Sequence, residues 1–431
     1  MTHPLSIGVA GLGTVGTGVL TVLRDNAEVI AARAGRPIVV TAVSARDRAR
    51  ERSVSIAGLR WYDDPVALAQ DPGVDVIVEC IGGSEGPARL LVEAALRAGR
   101  PVVTANKALL ATHGAALAAL AEARGVPLAF EAAVAGGIPA IKAIREGLAA
   151  NRLFRVAGIL NGTCNYILTS MREKGREFAE ALAEAQRLGY AETDPAMDVD
   201  GTDAAHKLAI LAALAFGRPV AFDDVHVEGV RGVSALDIRL ADDLGYRIKL
   251  LGIARRTDAG ISTRVHPCMV PVAHPLARVD GVFNAVVAEG DFVGRVVLEG
   301  RGAGGGPTGS AVVADLIDIA RGRHTPVWGA AEAALKPAET VPMSHHEGAY
   351  YLRLMVVDRP GVIADVTAVL RDHGISLESM IQRGRSPGEA VAVVLVTHTC
   401  GEAAMTAALH RLEALDAVLE TPAMIRIEAL A

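Results

Sequence analysis

Aromatic side chains are scarce in this chain, with phenylalanine, tyrosine and tryptophan together making up 3% of it. The interior must therefore be largely aliphatic, and a hydrophobic content of 51% with 45 glycines suits an α/β enzyme built on alanine, valine and leucine. Cysteine is scarcer. Cys80, Cys164, Cys268 and Cys400 stand far apart, with no CxxC pair and no metal-ligand spacing, so they read as reduced core thiols. No apolar run approaches membrane-spanning length, and residues 1–4 lead into an apolar strand without the charged and apolar regions of a secretory leader. Positive charge is not in excess either. A formal net charge of -6 and a pI near 6.1 leave no field to draw in nucleic acid or an anionic membrane. Repeats and low-complexity tracts are missing. These absences point to a soluble cytoplasmic protein whose partners are small molecules.

At 431 residues the chain is too long for one ordinary core, and its texture divides it into parts. Residues 1–134 alternate apolar strand runs (5–10, 39–44, 74–80, 101–104, 128–134) with helical patterns (14–33, 87–98, 115–124), as a parallel sheet with covering helices requires. Residues 135–309 have longer helices, polar clusters and strands such as 247–254, and form an α+β domain. A second glycine-rich loop, 302–309, precedes a helix over about 310–322 that could return to complete the first domain. Residues 323–348 contain a stretch with two prolines, two histidines and no apolar period, and read as a linker. From 349 to 431 the order strand, helix, strand, strand, helix, strand predicts a small domain of ferredoxin-like topology. The expected strands are 351–357, 377–382, 390–397 and 424–428, and the helices 362–373 and 402–415.

The run over 5–10 enters Gly11-Leu12-Gly13-Thr14-Val15-Gly16 and then a helix, which is the setting of a Rossmann dinucleotide fingerprint. Gly11 would allow the tight turn, Gly13 the approach of a pyrophosphate and Gly16 close helix–strand packing, with the helix start supplying amide donors. A merely structural glycine turn is the alternative. Where an NAD reader would place an acidic residue, the second strand ends in Ser44-Ala45-Arg46, followed by Arg48 and Arg50. Guanidinium groups suit a 2′-phosphate, so NADP is preferred over NAD, although Asp47 and Glu51 dilute the cluster. Lys107 follows the strand ending in Thr104, at the sheet edge where ligands of open α/β folds bind.

Residues 203–216 are apolar nearly all round apart from Asp203, His206 and Lys207, which implies a buried helix. A buried ammonium is costly unless paired or functional, and Asp203 stands at the i,i+4 position that lets it meet Lys207. Upstream, Glu192, Asp194, Asp198 and Asp200 bring carboxylates near the same helix start, where a substrate α-ammonium would need an acceptor. Helix capping explains part of that cluster but not Glu192.

Together GLGTVG, TANK at 104–107, NGTCNYI from Asn161 and GTDAAHK from Gly201 resemble the homoserine dehydrogenase family, in the family order and over essentially the whole chain. The resemblance implies nicotinamide-dependent interconversion of homoserine and aspartate 4-semialdehyde, within threonine, methionine and isoleucine biosynthesis. It implies that Lys207 and Lys107 handle the proton and polarise the oxygen, and that Glu192 and Asp203 engage substrate polar groups. Gly162 and Thr163 would line the substrate pocket, and the glycine loop, Arg46, Thr104, Lys107 and Gly304 would contact the cofactor. A monovalent cation, Na+ or K+, is implied at Glu131, Val134, Gly136 and Ile138. The C-terminal part, with Val357-Asp358-Arg359-Pro360-Gly361-Val362 as its strand-to-helix turn, resembles an ACT domain, which implies feedback by threonine. A ligand-free oligomerisation module is the alternative there. A homodimer or homotetramer without an aspartate kinase segment is expected. Another semialdehyde or opine oxidoreductase would keep the glycine loop, but the combination of Glu192, Asp203 and Lys207 argues against it. A regulator that only senses metabolites would have little need of a lysine in an apolar helix.

Overall fold

The computed structural model describes residues 3–382 and 388–429, so positions 1–2, 383–387 and 430–431 of the expected first and last domains lie outside the described residues. The N-terminal part is a parallel sheet in the order β3-β2-β1-β4-β5-β6. Its strands are β1 Leu5–Ala10, β2 Ile38–Ser44, β3 Arg60–Tyr62, β4 Val76–Glu79, β5 Val102–Thr104 and β6 Leu128–Ala129. Ile7, Val9, Ile77, Val78 and Val103 are fully buried, because helices cover both faces. Strand order reverses between β1 and β4, which opens a crevice at their carboxyl ends.

The covering helices are α1 Thr14–Asp25, α2 Ala27–Ala34, α3 Pro87–Arg97 and α4 Lys107–Arg124. The single helix expected over 14–33 is two, because Asn26 leaves helical geometry with φ -112° and ψ 22°. α4 begins eight residues earlier than its apolar period suggests, since the Asn106 side chain accepts the Leu109 amide at 3.1 Å and caps it. The strand expected over 128–134 stops at Ala129. The Glu131 amide donates to Asp315 at 2.8 Å instead of to the sheet, and a 3-10 turn follows over Glu131–Ala133.

The middle part is an antiparallel sheet in the order β12-β11-β7-β9-β10. Its strands are β7 Leu153–Ile159, β8 His226–Val227, β9 Tyr246–Thr257, β10 Gly260–Pro271, β11 Phe283–Gly290 and β12 Gly294–Arg301, with β8 beside β10. The helices are α5 Gly162–Lys174, α6 Phe178–Arg187, α7 Thr202–Phe216, α8 Ala235–Asp243 and α9 Gly305–Ala320. α7 lies between α4 and the face of β7 and β9, which is why almost every residue of it is buried. α9 packs directly on α1. A Cβ on Gly18 would fall 2.1 Å from the Gly305 carbonyl oxygen, so the two backbones touch.

The C-terminal part contains β13 Glu347–Val357, α10 Val362–Asp372, β14 Leu377–Gln382, β15 Ala390–Thr397, β16 Cys400–Gly401, α11 Glu402–Glu413 and β17 Ala423–Ile427. The order β17-β13-β15-β14 is ferredoxin-like, around its own core of Tyr350, Leu352, Leu354, Val366, Val393 and Met405. Two features differ from the sequence reading. β17 pairs in parallel with β10 through Cys268–Arg426 and Met269–Ile427, so the middle and C-terminal sheets are continuous. The segment read as a linker is also pinned. Trp328 is buried against Phe130 with ring centroids 5.2 Å apart, in space left by Gly114, and Thr340 bridges to Ile261. Among the described residues no helix is long and apolar enough to cross a membrane, and all four cysteines are free thiols.

Candidate active site

The glycine loop meets the demands of close approach at each of its glycines differently. Gly11 has φ 93°, and a Cβ there would lie 2.3 Å from the Cys80 carbonyl oxygen, while one on Gly16 would lie 1.9 Å from the Gly11 carbonyl oxygen. Before Gly13 the space is open, with nothing within 4 Å of a Cβ. Leu12 is buried beneath the loop, Val15 is half-buried and Thr14 is exposed. No side chain caps α1 or α9, so the first-turn amides of both remain available. The two helices start side by side, since a Cβ on Gly305 would lie 2.9 Å from the Thr14 carbonyl oxygen, and Gly304 at φ 112° leads into the second start. Two positive helix ends facing open space fit the phosphates of a dinucleotide. The Ser44 carbonyl accepts the Gly11 amide at 2.8 Å, which places the end of β2 beside the loop. Arg46 is exposed there and has no partner among the described residues. Arg48 and Arg52 lie instead over the Trp61 ring, at 5.7 and 5.6 Å.

Thr104 is fully buried at the end of β5. Its hydroxyl donates to Glu79 at 2.5 Å and accepts the Asn106 amide at 3.0 Å, so both bonds are spent on fixing the backbone there. Glu79, which sequence reasoning passed over as part of a strand, also accepts the amides of Ile81 at 2.7 Å and Gly82 at 3.1 Å. A carboxylate inside the apolar run Val76–Glu79 was the available signal. It organises the loops after β4 and β5, and so sets the start of α4 where Lys107 stands.

Three elements meet at Asp203. From α7 itself, Lys207 Nζ donates to Asp203 Oδ2 at 2.7 Å and to the Leu160 carbonyl at 2.8 Å. From the start of α4, Lys107 Nζ lies 3.2 Å from Asp203 Oδ1. From the end of β7, Asn161 Nδ2 donates to Asp203 Oδ2 at 2.9 Å and to Asp198 Oδ1 at 2.7 Å. Asp203 and Lys207 are 6% and 9% exposed, so this charge cluster is largely out of water. Burial opposes ionisation of Asp203, but the Lys207 and Lys107 charges outweigh it and hold the carboxyl well below the ordinary carboxylate range. Burial pushes the Asp198 carboxyl up despite its bond from Asn161. His206 is pushed down by burial, with its ring 4.4 Å from that of Phe222. The roles of Asn161 and the Leu160 carbonyl were missed from sequence, although Asn before Gly-Thr is an N-cap signature.

Gly162 opens α5, and a Cβ there would press to 2.8 Å from the Val282 carbonyl oxygen. The Thr163 hydroxyl donates to the Tyr190 carbonyl at 2.8 Å, tying the helix start to the acidic loop. That loop disperses its carboxylates. Asp194 accepts the Ala196 amide at 3.1 Å, Asp198 turns inward, and Asp200 pairs with Arg231 at 2.5 Å. Glu192 is exposed, with no partner for its carboxylate among the described residues, and makes no contact with the lysines. Elsewhere the fold assembles His266, Cys268 and Glu428 within 4.8 Å at the β10–β17 junction, which sequence spacing did not show. The Glu428 carboxylate is already occupied by Arg264 at 2.6 Å.

Glu131 is 2% exposed, and its two oxygens accept the amides of Ile141 and Lys142, each at 2.9 Å. Burial, reinforced by nearby Asp315, pushes its carboxyl up to about 7 against those two bonds. Beyond it Ala135 takes φ 57°, a left-handed conformation uncommon for a residue with a Cβ. Val134 and Gly136 on either side are buried, and their carbonyls accept no hydrogen bond among the described residues. The Ile138 carbonyl accepts the Ala140 amide at 2.7 Å. A buried carboxylate and, three and five residues along the chain, two carbonyls without hydrogen-bond partners are the donor types that a hard monovalent cation takes.

The comparisons with known proteins agree across the chain. Residues 139–317 match the family model for homoserine dehydrogenase, residues 11–131 that for the homoserine dehydrogenase NAD binding domain, and residues 350–416 that for the ACT domain. The homoserine dehydrogenases of Pseudomonas aeruginosa and Neisseria gonorrhoeae are 48% and 46% identical to it, each alignment covering 99% of both chains. The crystal structure of a homoserine dehydrogenase from Thiobacillus denitrificans superposes with a TM-score of 0.94 at 49% identity, covering 100% of this chain and 99% of that one. A hyperthermophilic archaeal homoserine dehydrogenase in complex with NADPH gives a TM-score of 0.65 at 26% identity, over 75% of this chain and 100% of that one.

Proposed function

The chain belongs to the homoserine dehydrogenase family of oxidoreductases, and on that footing we propose that it interconverts L-homoserine and L-aspartate 4-semialdehyde through Lys207 and Lys107. When bound, a nicotinamide cofactor donates or accepts the hydride. The carrying observation is the Asp203 carboxylate shared by Lys207 at 2.7 Å and Lys107 at 3.2 Å. Lys207 spends two of its three N–H bonds on Asp203 and Leu160, which leaves one for the substrate oxygen. That N–H steadies negative charge on the oxygen and passes or recovers its proton, while Lys107 polarises the same oxygen. Asp203 orients both ammonium groups and a substrate polar group. The unpaired carboxylate of Glu192 is the acceptor assigned to the substrate α-ammonium, with Gly162 and the Thr163 hydroxyl lining the pocket. The test is NADPH oxidation with aspartate semialdehyde. Turnover is expected, and is lost in Lys207→Ala while fold and cofactor binding persist. Near-normal turnover in that variant overturns the assignment.

Several finer readings accompany it. Arg46, with no acidic residue at the end of β2, supports NADP over NAD. Gly11 to Gly16, Lys107, Gly304 and the backbone at Thr104 form the rest of the cofactor site. Glu131 and the carbonyls of Val134, Gly136 and Ile138 would hold Na+ or K+. A cation there would brace the loop that meets the second glycine stretch, since a Cβ on Gly136 would lie 2.3 Å from the Gly302 carbonyl oxygen. The division into 1–134 with 310–322, 135–309, and 349–431 is supported by the parallel sheet of the first part and by the separate apolar core around Tyr350, Leu352 and Val393 in the last, although one apolar cluster runs from Leu91 and Leu128 to Leu208 and Met269 across the first two. Threonine is the effector proposed for the ACT domain. Phe154, Phe283, Phe292, Val293 and Val297 are exposed on or between β7, β11 and β12, and this apolar band supports a homodimer or homotetramer. Four free thiols suit a cytoplasmic setting.

A further inference from the structure

A cavity of about 260 Å³ lies away from the crevice, between strands β8, β9 and β10 of the middle part and residues 341–347, which lead into β13. It is smaller than the roughly 300–1,000 Å³ typical for drug-sized ligands, and so suits a metabolite of few heavy atoms. Its walls carry charges of both signs, of which Asp224 already accepts the Thr340 hydroxyl at 2.5 Å through Oδ2 and lies 3.6 Å from Arg218, while two others are unanswered. Arg255 and Glu347 both line it, and neither side chain has a partner among the described residues. Deeper in, Arg264 is 5% exposed. It gives Nη2 to Glu428 at 2.6 Å and Nη1 to Ser262 at 3.4 Å, yet its Nε has no partner. His346 Nε2 is likewise buried and unpartnered. Burial and the Arg264 charge push that ring down to about 4, so it is neutral at neutral pH. Buried polar atoms without partners are rare and call for an occupant.

We infer that this cavity is a binding site for a small zwitterion of the α-amino acid class, with its carboxylate on Arg255 and Arg264 and its ammonium on Glu347 and Asp224. A simple anion would leave Glu347 unanswered, and a simple cation would leave Arg255 so. The site lies outside the ferredoxin-like core of the ACT domain but touches what holds that domain in place. The His346 carbonyl accepts the Glu402 amide that opens α11 at 2.8 Å, and Arg264 grips Glu428 just beyond β17.

The experiment is calorimetric titration of the full chain with glycine, L-threonine, acetate and methylammonium, on the parent and on Arg255→Gln and Glu347→Gln. Both side chains are exposed, so neither substitution threatens folding. Glycine or L-threonine is expected to bind, acetate and methylammonium at least tenfold more weakly, and each variant is expected to weaken amino-acid binding by about tenfold or more. Amino-acid binding unchanged in both variants overturns the inference and leaves effector binding to the ACT domain standing. Acetate binding as tight as glycine overturns the zwitterion assignment. No binding by either amino acid overturns both this site and the threonine reading, while the proposed reaction is judged separately by turnover.

Discussion

Replacing Asp203 by asparagine removes the carboxylate that two ammonium groups share while keeping a side chain of the same shape. Asp203 and Lys207 are 2.7 Å apart and 6% and 9% exposed, so solvent screens this pair little. Breaking a buried pair by removing one partner costs about 3–5 kcal/mol, because the other charge stays behind unpaired. Asparagine still offers a carbonyl to Lys207, which places the expected stability loss at about 3 kcal/mol at pH 7. A similar loss in the transition state corresponds to a fall of about 150-fold in kcat. The pH dependence carries a sign. The Asp203 pKa is depressed on folding, so its contribution is present above the unfolded value of 3.8 and is lost as pH falls below it. Urea unfolding should therefore show a constant gap between parent and variant above about pH 5 that begins to narrow only below about pH 4 and goes on narrowing to the lowest pH at which the protein stays folded. Steady-state NADPH oxidation gives kcat, and fluorescence titration confirms that cofactor still binds. A folded Asp203→Asn protein with kcat within threefold of the parent would refute the role of the shared carboxylate, and a stability gap that does not narrow in acid would refute the electrostatic account.

Other perturbations test other parts of the site. Arg46→Ala should raise KM for NADPH about tenfold while leaving that for NADH nearly unchanged, and equal changes would dismiss the 2′-phosphate contact. Exchanging K+ for choline at constant ionic strength should lower the parent's thermal midpoint by about 2–4 °C, as ~1 kcal/mol would, and leave Glu131→Gln unmoved; a parent indifferent to the exchange argues against a cation there. Gly18→Ala forces α1 and α9 apart, because its Cβ would lie 2.1 Å from a backbone oxygen. We expect it to cost about 1–3 kcal/mol in unfolding experiments and to weaken NADPH binding, and unaltered stability would mean that the two helix starts are not locked together.

What could be read in advance was local. The glycine loop, the i,i+4 spacing of Asp203 and Lys207 and the strand order of the last eighty residues all follow from neighbours in sequence, and the fold carries each of them. What escaped depends on distant partners. Nothing near Asn161 announces that it will span Asp198 and Asp203, and nothing near Thr104 tells that Glu79 will claim its hydroxyl. The acidic loop looked like one cluster because its carboxylates are close in sequence, yet Asp194, Asp198 and Asp200 each turn toward a different partner and Glu192 faces solvent. Trp328 lies in the 323–348 segment read as a linker, but a single large side chain anchors a segment as well as a periodic run does when Gly114 leaves a space for it.

The joint between β10 and β17 has a practical consequence for anyone who shortens this protein. Among the described residues the ladder there consists of Cys268–Arg426 and Met269–Ile427, and the Glu428 amide adds a bond to the Met269 carbonyl at 3.0 Å. A chain cut before β13 would lose that cover and present the far end of β10 as an open rim of unpaired amides and carbonyls. Such rims recruit strands from other molecules. Protease nicking in the approach to β13 is therefore expected to yield sticky, self-associating fragments before it yields a stable truncated protein, and preparations stored with trace protease would register the damage first as turbidity.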